Sequence, residues 1–213
     1  MWTNAVDTLR KFLGDGPADK SFWRQKMLGD ADGTNTEFKI FNTRVIVSVS
    51  ASTPVFYVNG AVATGTVTDQ KQSIVTLATA PQNGDTVEAT GFFQYWLDDD
   101  IAEFLSRASE QIIESEDYTS IPEGLRAAAQ HLAASCAYSN LSTRFTENRS
   151  SQFHLSERGK EGKDVISGFI DLAKWNQQEG LRKRDEYYKR LGKRNEPAFG
   201  TMMMDCPSYT PKR

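Results

Sequence analysis

The sequence predicts an α+β protein in which a strand-rich region is followed by a helix-rich region. Between Phe22 and Trp96 the residues Thr, Val, Phe and Tyr dominate, and turn residues recur about every 8 to 12 positions, as in β domains. After Leu97 the apolar residues recur at the three- and four-residue spacing of helices that bury one face. We therefore expect a small antiparallel β-sandwich or barrel-like domain joined to an α-helical bundle, with an extended C-terminal tail.

These patterns divide the chain into four segments. An N-terminal helix is expected within residues 1–17, because Trp2, Val6, Leu9 and Leu13 share one face and a glycine at 14 ends the pattern. The β domain is expected at 18–97, the helical bundle at 98–194 and the tail at 195–213.

Six strands are predicted in the β domain, with a seventh, weaker one. They cover residues 22–28, 37–41, 45–50, 55–58, 73–78 and 86–96, and the weaker one covers 61–67. Asn59-Gly60 predicts a hairpin, because these residues tolerate the positive φ of a two-residue turn. Phe92, Phe93, Tyr95 and Trp96 alternate in the last strand, and we expect them to pack in the core.

Three helices are predicted after Leu97. The first has Asp98 or Asp99 as its N-cap, and its buried stripe is Ile101, Phe104, Leu105, Ala108 and Ile112. The second is expected from a Ser120 cap to about Phe145. Its stripe contains small residues, which predicts close approach of a neighbouring helix: Leu125, Ala128, Ala129, Leu132 and Cys136.

The third predicted helix runs from about Lys163 to Leu191 and ends at Gly192. Gly168 and Gly180 are expected to weaken it. Its apolar residues are Val165, Ile166, Phe169, Leu172, Ala173, Leu181, Tyr188 and Leu191.

Composition and charge exclude several classes of protein. No apolar run is long enough to span a bilayer, and the N-terminus carries no signal peptide, so we expect a soluble, cytoplasmic product with no membrane partner. Cys136 and Cys206 form no disulfide framework. Residues 154–213 carry 13 basic and 9 acidic residues in a chain of net charge −3. Because the signs are interspersed, we interpret this excess as a solvated helix face.

Residues with catalytic or metal-binding chemistry are sparse. His131 and His154 have no Cys, Asp or Glu at metal-ligand spacing. The loop that begins Asp30-Ala-Asp32-Gly33 resembles the start of a calcium loop, but Asn35 stands at the sixth position, where such a loop needs glycine, and no glutamate stands at the twelfth. The acids at 98–100 are explained by helix capping. We therefore expect no cofactor, no metal and no enzyme activity.

Five phrases follow one another along the chain: Asp32-Gly-Thr-Asn-Thr-Glu-Phe-Lys39, Val55-Phe-Tyr-Val-Asn-Gly60, Ile74-Val-Thr-Leu-Ala-Thr-Ala-Pro81, Asn83-Gly-Asp-Thr-Val87 and Trp96-Leu-Asp-Asp-Asp-Ile101. In this order they resemble small structural modules of tailed bacteriophages, and the helices after Asp98 are similar to those of head-to-tail adaptor (connector) proteins. The resemblance covers about a third of the chain.

The resemblance implies a homo-oligomeric ring, commonly a dodecamer, in the neck of the virion. Such a ring binds the portal protein and tail or neck proteins, and it continues the DNA channel without binding DNA specifically. Assembly would take place in the host cytoplasm. The tail at 195–213 is the candidate for portal docking, and its apolar residues are Phe199, Met202, Met203, Met204 and Tyr209.

Three alternatives remain open at this stage. The protein could be another tail or fibre-associated protein, whose β domain binds a partner or a carbohydrate. It could be an enzyme that acts on peptidoglycan or nucleic acid, although the paired carboxylates or metal site of such an enzyme are not visible. The tail could fold back on its own helices instead of docking on a portal.

Overall fold

The computed structural model describes residues 2–16, 20–40, 45–47, 54–151 and 159–192. Within these ranges the chain forms four α-helices and two antiparallel sheets, which confirms the predicted α+β class. The chain divides into two compact units: a helical unit, Met1–Leu13 with Asp98–Arg213, and a β unit, Gly14–Leu97. The N-terminal helix therefore belongs to the helical unit, although β strands follow it directly in sequence.

The β unit contains eight strands within its described residues. They are β1 (Ser21–Lys26), β2 (Glu37–Lys39), β3 (Val45–Val47), β4 (Val55–Val58), β5 (Ala61–Ala63), β6 (Gly65–Asp69), β7 (Ile74–Leu77) and β8 (Val87–Gln94). β8 is the central strand of the larger sheet. It pairs with β1 along one edge and with β4 and β3 along the other, and β5 extends the sheet beyond β4. The smaller sheet has the order β2-β7-β6.

Two turn regions decide how the sheets are connected. Asn59 and Gly60 both have positive φ, 50° and 81°, and they join β4 to β5 as the predicted two-residue hairpin. The predicted strand at 61–67 is wrong as a single element. It divides at Thr64 into β5 of the larger sheet and β6 of the smaller one, because Gly65 lets the backbone approach Phe56 and Leu77.

One core lies between the two sheets. Residues from β1, β4 and β8 of the larger sheet meet residues from β2 and β7 of the smaller sheet: Phe22, Met27, Phe38, Ile40, Phe56, Val75, Leu77, Val87, Ala89 and Phe93. Trp96 is also buried, so the expectation that these aromatics pack inside is confirmed for Phe93 and Trp96. Burying side chains of this size removes apolar surface worth roughly 1.5–3 kcal/mol each.

The helical unit contains α1 (Ala5–Phe12), α2 (Asp98–Ile113), α3 (Arg126–Ser151) and α4 (Gly159–Arg190), with two short 3-10 helices before α3. The buried stripes predicted for α2 and for the second helix are all confirmed. Two predicted caps are wrong. α2 begins at Asp98 itself, and Ser120 ends the first 3-10 helix, where its hydroxyl donates to the carbonyl of Asp117.

The predicted close approach to the second helix is confirmed, and α4 makes it. A Cβ atom placed on Gly180 of α4 would lie 2.7 Å from Cγ of Leu132 and 3.1 Å from the carbonyl oxygen of Ala128, both on α3. Gly180 therefore lets the two helices touch at this level. Gly192 has a φ of 67° and follows the end of α4, as predicted for a C-terminal glycine.

No helix in the described parts of the chain combines the length and the apolar character needed to cross a bilayer.

Candidate interaction surfaces

Phe12 of α1, His131 of α3 and Trp175 of α4 form an aromatic cluster on the helical unit. The His131 ring makes edge contacts with both neighbours, at centroid distances of 5.1 Å to Phe12 and 5.5 Å to Trp175. Phe12 is 42% exposed and Trp175 is 55% exposed. A histidine predicted to have no chemical role therefore fills the space between two partly exposed rings.

The hydrogen bonds of Asn176 determine the tautomer of His131. Asn176 is buried, and its side-chain amide nitrogen donates to the carbonyl of Leu172 at 2.8 Å. Its oxygen therefore faces His131 Nδ1, 2.9 Å away, and accepts a hydrogen bond from it. A neutral His131 thus carries its proton on Nδ1, and this hydrogen bond holds the ring between Phe12 and Trp175.

The exposed apolar surface continues along α4 beyond the cluster. Val165 and Leu172 are 45% and 42% exposed and lie seven residues apart, which places them on the same side of the helix. Leu172 precedes Trp175 by three residues and so lies next to it. We call Phe12, His131, Val165, Leu172 and Trp175 the aromatic surface. The sequence pattern assigned Val165 and Leu172 to the apolar residues of this helix, but α3 does not cover them.

Two of the three acids at the start of α2, Asp98 and Asp100, make ion pairs with other helices of the unit. Arg10 of α1 donates to Asp98 at 2.6 Å, and the guanidinium of Arg144 in α3 lies 3.8 Å from Asp100. Arg10 and Asp100 are both buried. These acids therefore join α1 and α3 to α2, and they also lie in the first turn, where the helix dipole favours negative charge.

Several basic residues in the second half of α4 are paired with acids of the same helix. Arg182 binds Glu179 and Glu186, and Lys183 lies 3.4 Å from Glu179. Hydrogen bonding from Arg182 lowers the pKa of Glu179 to about 2. Within the described part of α4, these acids offset part of the basic charge.

The loop that begins at Asp30 is a polar turn. The Asp32 carboxylate accepts hydrogen bonds from the backbone amides of Thr34 and Asn35, at 2.8 and 2.7 Å. These bonds, the one from Asn35 foremost, lower the pKa of Asp32. Asn35 in turn donates to the carbonyls of Asp30 and Glu37. The two backbone amides and the Thr34 hydroxyl thus all donate to one oxygen of the Asp32 carboxylate, Oδ1, as in a polar turn.

The outer face of the larger sheet carries a second group of exposed side chains. Arg24 lies at a bulge in β1 with a φ of 46°, and its guanidinium stacks on Tyr57 at 3.5 Å and pairs with Glu88 at 3.3 Å. Val62 pairs with Tyr57 across β4 and β5 and is 75% exposed, and Trp23 is 76% exposed.

A buried carboxylate, Asp15, joins the beginning of the β unit to its end. It accepts hydrogen bonds from the backbone amides of Tyr95 at 3.0 Å and Trp96 at 3.3 Å, and from the Lys20 ammonium at 3.0 Å. The Gln94 side chain donates to the Asp15 carbonyl at 2.8 Å. Burial raises the pKa of the Asp15 carboxyl, while the Tyr95 amide and Lys20 act against that rise.

The residues predicted for portal docking lie outside the described residues, as do His154 and Cys206. In the described parts of the chain, no group of three or more His, Cys, Asp or Glu residues could hold a metal ion. The sequence interpretation missed Phe12, Trp175 and Asp15. A signal existed for the first two, because each is a large aromatic residue three positions after an apolar residue of its helix, Leu9 or Leu172.

Comparisons with protein-family models, with curated proteins and with solved structures found no significant match.

Proposed function

We propose that the protein is a structural virion component, a head-to-tail adaptor whose copies form a ring between the portal and the tail. The structural observation that supports this proposal is the aromatic surface. Its large apolar side chains are exposed and lie together on the helical unit, and such surfaces mark sites of protein contact. The kind of assembly, a head-to-tail adaptor ring, is proposed because of the resemblance to phage proteins.

The arrangement of chemical groups also favours a structural role over catalysis. His131 is bound to Asn176 and lies between two rings, and Asp98 and Asp100 are paired with arginines. Each of these three groups thus has a structural partner. The ion pairs along α4 reduce the positive charge available to phosphates, which suits a channel through which DNA passes without tight binding.

The ring is tested by light scattering and electron microscopy of the purified protein, alone and mixed with the portal protein of the same phage. We expect ring-shaped particles of about twelve subunits, because heterologous contacts close into rings. A protein that stays monomeric in both samples, or that forms only trimers, contradicts the adaptor proposal.

The tail is tested by deleting residues 196–213. We expect the shortened chain to keep its fold and its circular dichroism, because the described core residues all precede this segment, while attachment to the portal is lost. Unchanged portal affinity, or unfolding of the shortened chain, shows that the tail is not the portal anchor. Replacing Thr210 by alanine in the full chain is the control and should keep attachment.

A second candidate is a fibre-associated protein whose β unit binds a carbohydrate or a partner. The observation that favours it is Trp23, which is 76% exposed on β1 beside the Arg24–Tyr57 stack. Exposed aromatic rings suit both sugar faces and protein partners. This function would be favoured over the adaptor by two results together: trimers in light scattering, and binding of a carbohydrate or a partner protein that Trp23→Ala abolishes.

A further inference from the structure

The aromatic surface requires an occupant, because single exposed apolar residues are ordinary but a continuous group of them is not. Phe12, Leu172, Trp175 and Val165 are each more than 40% exposed, and the first three lie around His131 and Asn176. The surface spans α1, α3 and α4 of one unit, so it belongs to a single subunit and does not need a neighbour to form.

The chain beyond α4 has the composition of a segment that covers such a surface. Residues 193–213 contain Phe199, Met202, Met203, Met204 and Tyr209, together with Gly200, Pro207 and Pro211, which prevent a regular helix. Methionine side chains are unbranched and polarizable, so they fit irregular surfaces made of rings and aliphatic groups.

The end of α4 allows this segment to reach the surface in its own subunit. The positive φ of Gly192 ends the helix, so the chain can leave the helix axis there. Trp175 lies 17 residues before Gly192, roughly 26 Å along the helix at 1.5 Å per residue. Met202 lies 10 residues after Gly192, and an extended chain of that length spans about 33 Å.

We propose that the apolar part of the C-terminal segment, residues 199–204, docks on the aromatic surface of its own subunit. The tether favours this occupant over a second copy, because a linked segment acts at an effective concentration in the millimolar range. The inference concerns the free subunit and does not rest on the proposed function. If the adaptor proposal also holds, the portal must displace this segment before it can bind the same residues.

Two cysteine variants of matched exposure test the proposal. Leu172 and Ile170 are 42% and 39% exposed but lie on different sides of α4, and only Leu172 belongs to the aromatic surface. The native Cys206 lies two residues after Met204 and supplies the second thiol, whereas Cys136 is buried and does not compete. Dilute solutions of the Leu172→Cys protein and of the Ile170→Cys protein are oxidised mildly. The disulfides that form are mapped by peptide mass spectrometry.

We expect an intrachain disulfide between positions 172 and 206 that forms about fivefold or more faster than the one between 170 and 206, because docking raises the local concentration at one side only. Replacing Met202, Met203 and Met204 by serine in the Leu172→Cys chain should remove that advantage. Equal rates at both positions, a mainly interchain disulfide, or an advantage that survives the serine replacements each overturns the proposal.

Discussion

Replacing Gly168 by alanine is expected to raise the free energy of unfolding of the helical unit, whereas the same replacement at Gly180 is expected to lower it. Both glycines lie inside α4, so alanine gains up to about 1 kcal/mol of helix propensity at either position. A Cβ on Gly168 meets no atom within 4 Å. At Gly180 it would lie 2.7 Å from Cγ of Leu132, which is fully buried, and 3.1 Å from the Ala128 backbone.

The added methyl group at Gly180 must push α3 and α4 apart, and overpacking of this kind costs about 1–3 kcal/mol. Because the propensity gain is common to both variants, the difference between them isolates this packing cost. Urea unfolding followed by the helical circular dichroism signal measures both free energies. Equal stabilities of Gly168→Ala and Gly180→Ala would show that α3 and α4 do not approach as closely as described.

Gly180 also shows where prediction from the sequence ends. The small residues of the second helix predicted a close neighbour, and that part was confirmed. The glycine that allows this approach was interpreted only as a weak point of the third helix, because helix propensity is a local property. The role of Gly180 in packing depends on Leu132 and Ala128, which lie about 50 residues earlier in the chain.

The errors at element boundaries have two origins, one local and one non-local. Ser120 with Glu123 has the spacing of a capping box, but a serine hydroxyl can also bind local backbone, and here it binds the carbonyl of Asp117. Residues 61–67 have the composition of a single strand. The place where the chain passes from one sheet to the other depends on Phe56 and Leu77, which pack over Gly65. A competing local hydrogen bond thus changed one boundary, and non-local packing changed the other.

The aromatic surface could be predicted only in part. Leu172 was recognised as apolar, but its side of the helix remained open, because the apolar residues of α4 extend beyond the face that α3 covers. The contact of Phe12 with His131 could not be predicted, since it requires α1 to pack on α3 and the β unit separates these helices in sequence.

Replacing Asp15 by alanine is expected to destabilise the β unit more than any other single polar substitution considered. The carboxylate is fully buried and accepts from the amides of Tyr95 and Trp96 and from Lys20. Removing one partner from a buried ionic contact of this kind costs about 3–5 kcal/mol. Asp32→Ala is the matched control. It also removes a carboxylate that accepts two backbone amides, but Asp32 is exposed, so its loss should have a much smaller effect.

The pH dependence of stability provides an independent test of the same site. Burial raises the pKa of Asp15 above its ordinary value of 3.8, so the folded protein binds this proton more tightly than the unfolded chain. Tighter binding of this proton stabilises the folded state. This stabilisation is fully present below pH 3.8 and is lost as the pH rises through the higher pKa that Asp15 has in the folded state. Asp15→Asn keeps the size of the side chain but cannot titrate.

We therefore expect the stability of the natural protein, relative to Asp15→Asn, to decrease as the pH rises from just below 4 through the raised pKa. Thermal unfolding followed by near-ultraviolet circular dichroism measures this, because Trp96 is buried next to the site. Asp32→Asn should give the opposite slope, since hydrogen bonds lower the pKa of Asp32. If the difference between the natural protein and Asp15→Asn is flat or increases with pH, Lys20 and the two amides outweigh the burial of Asp15.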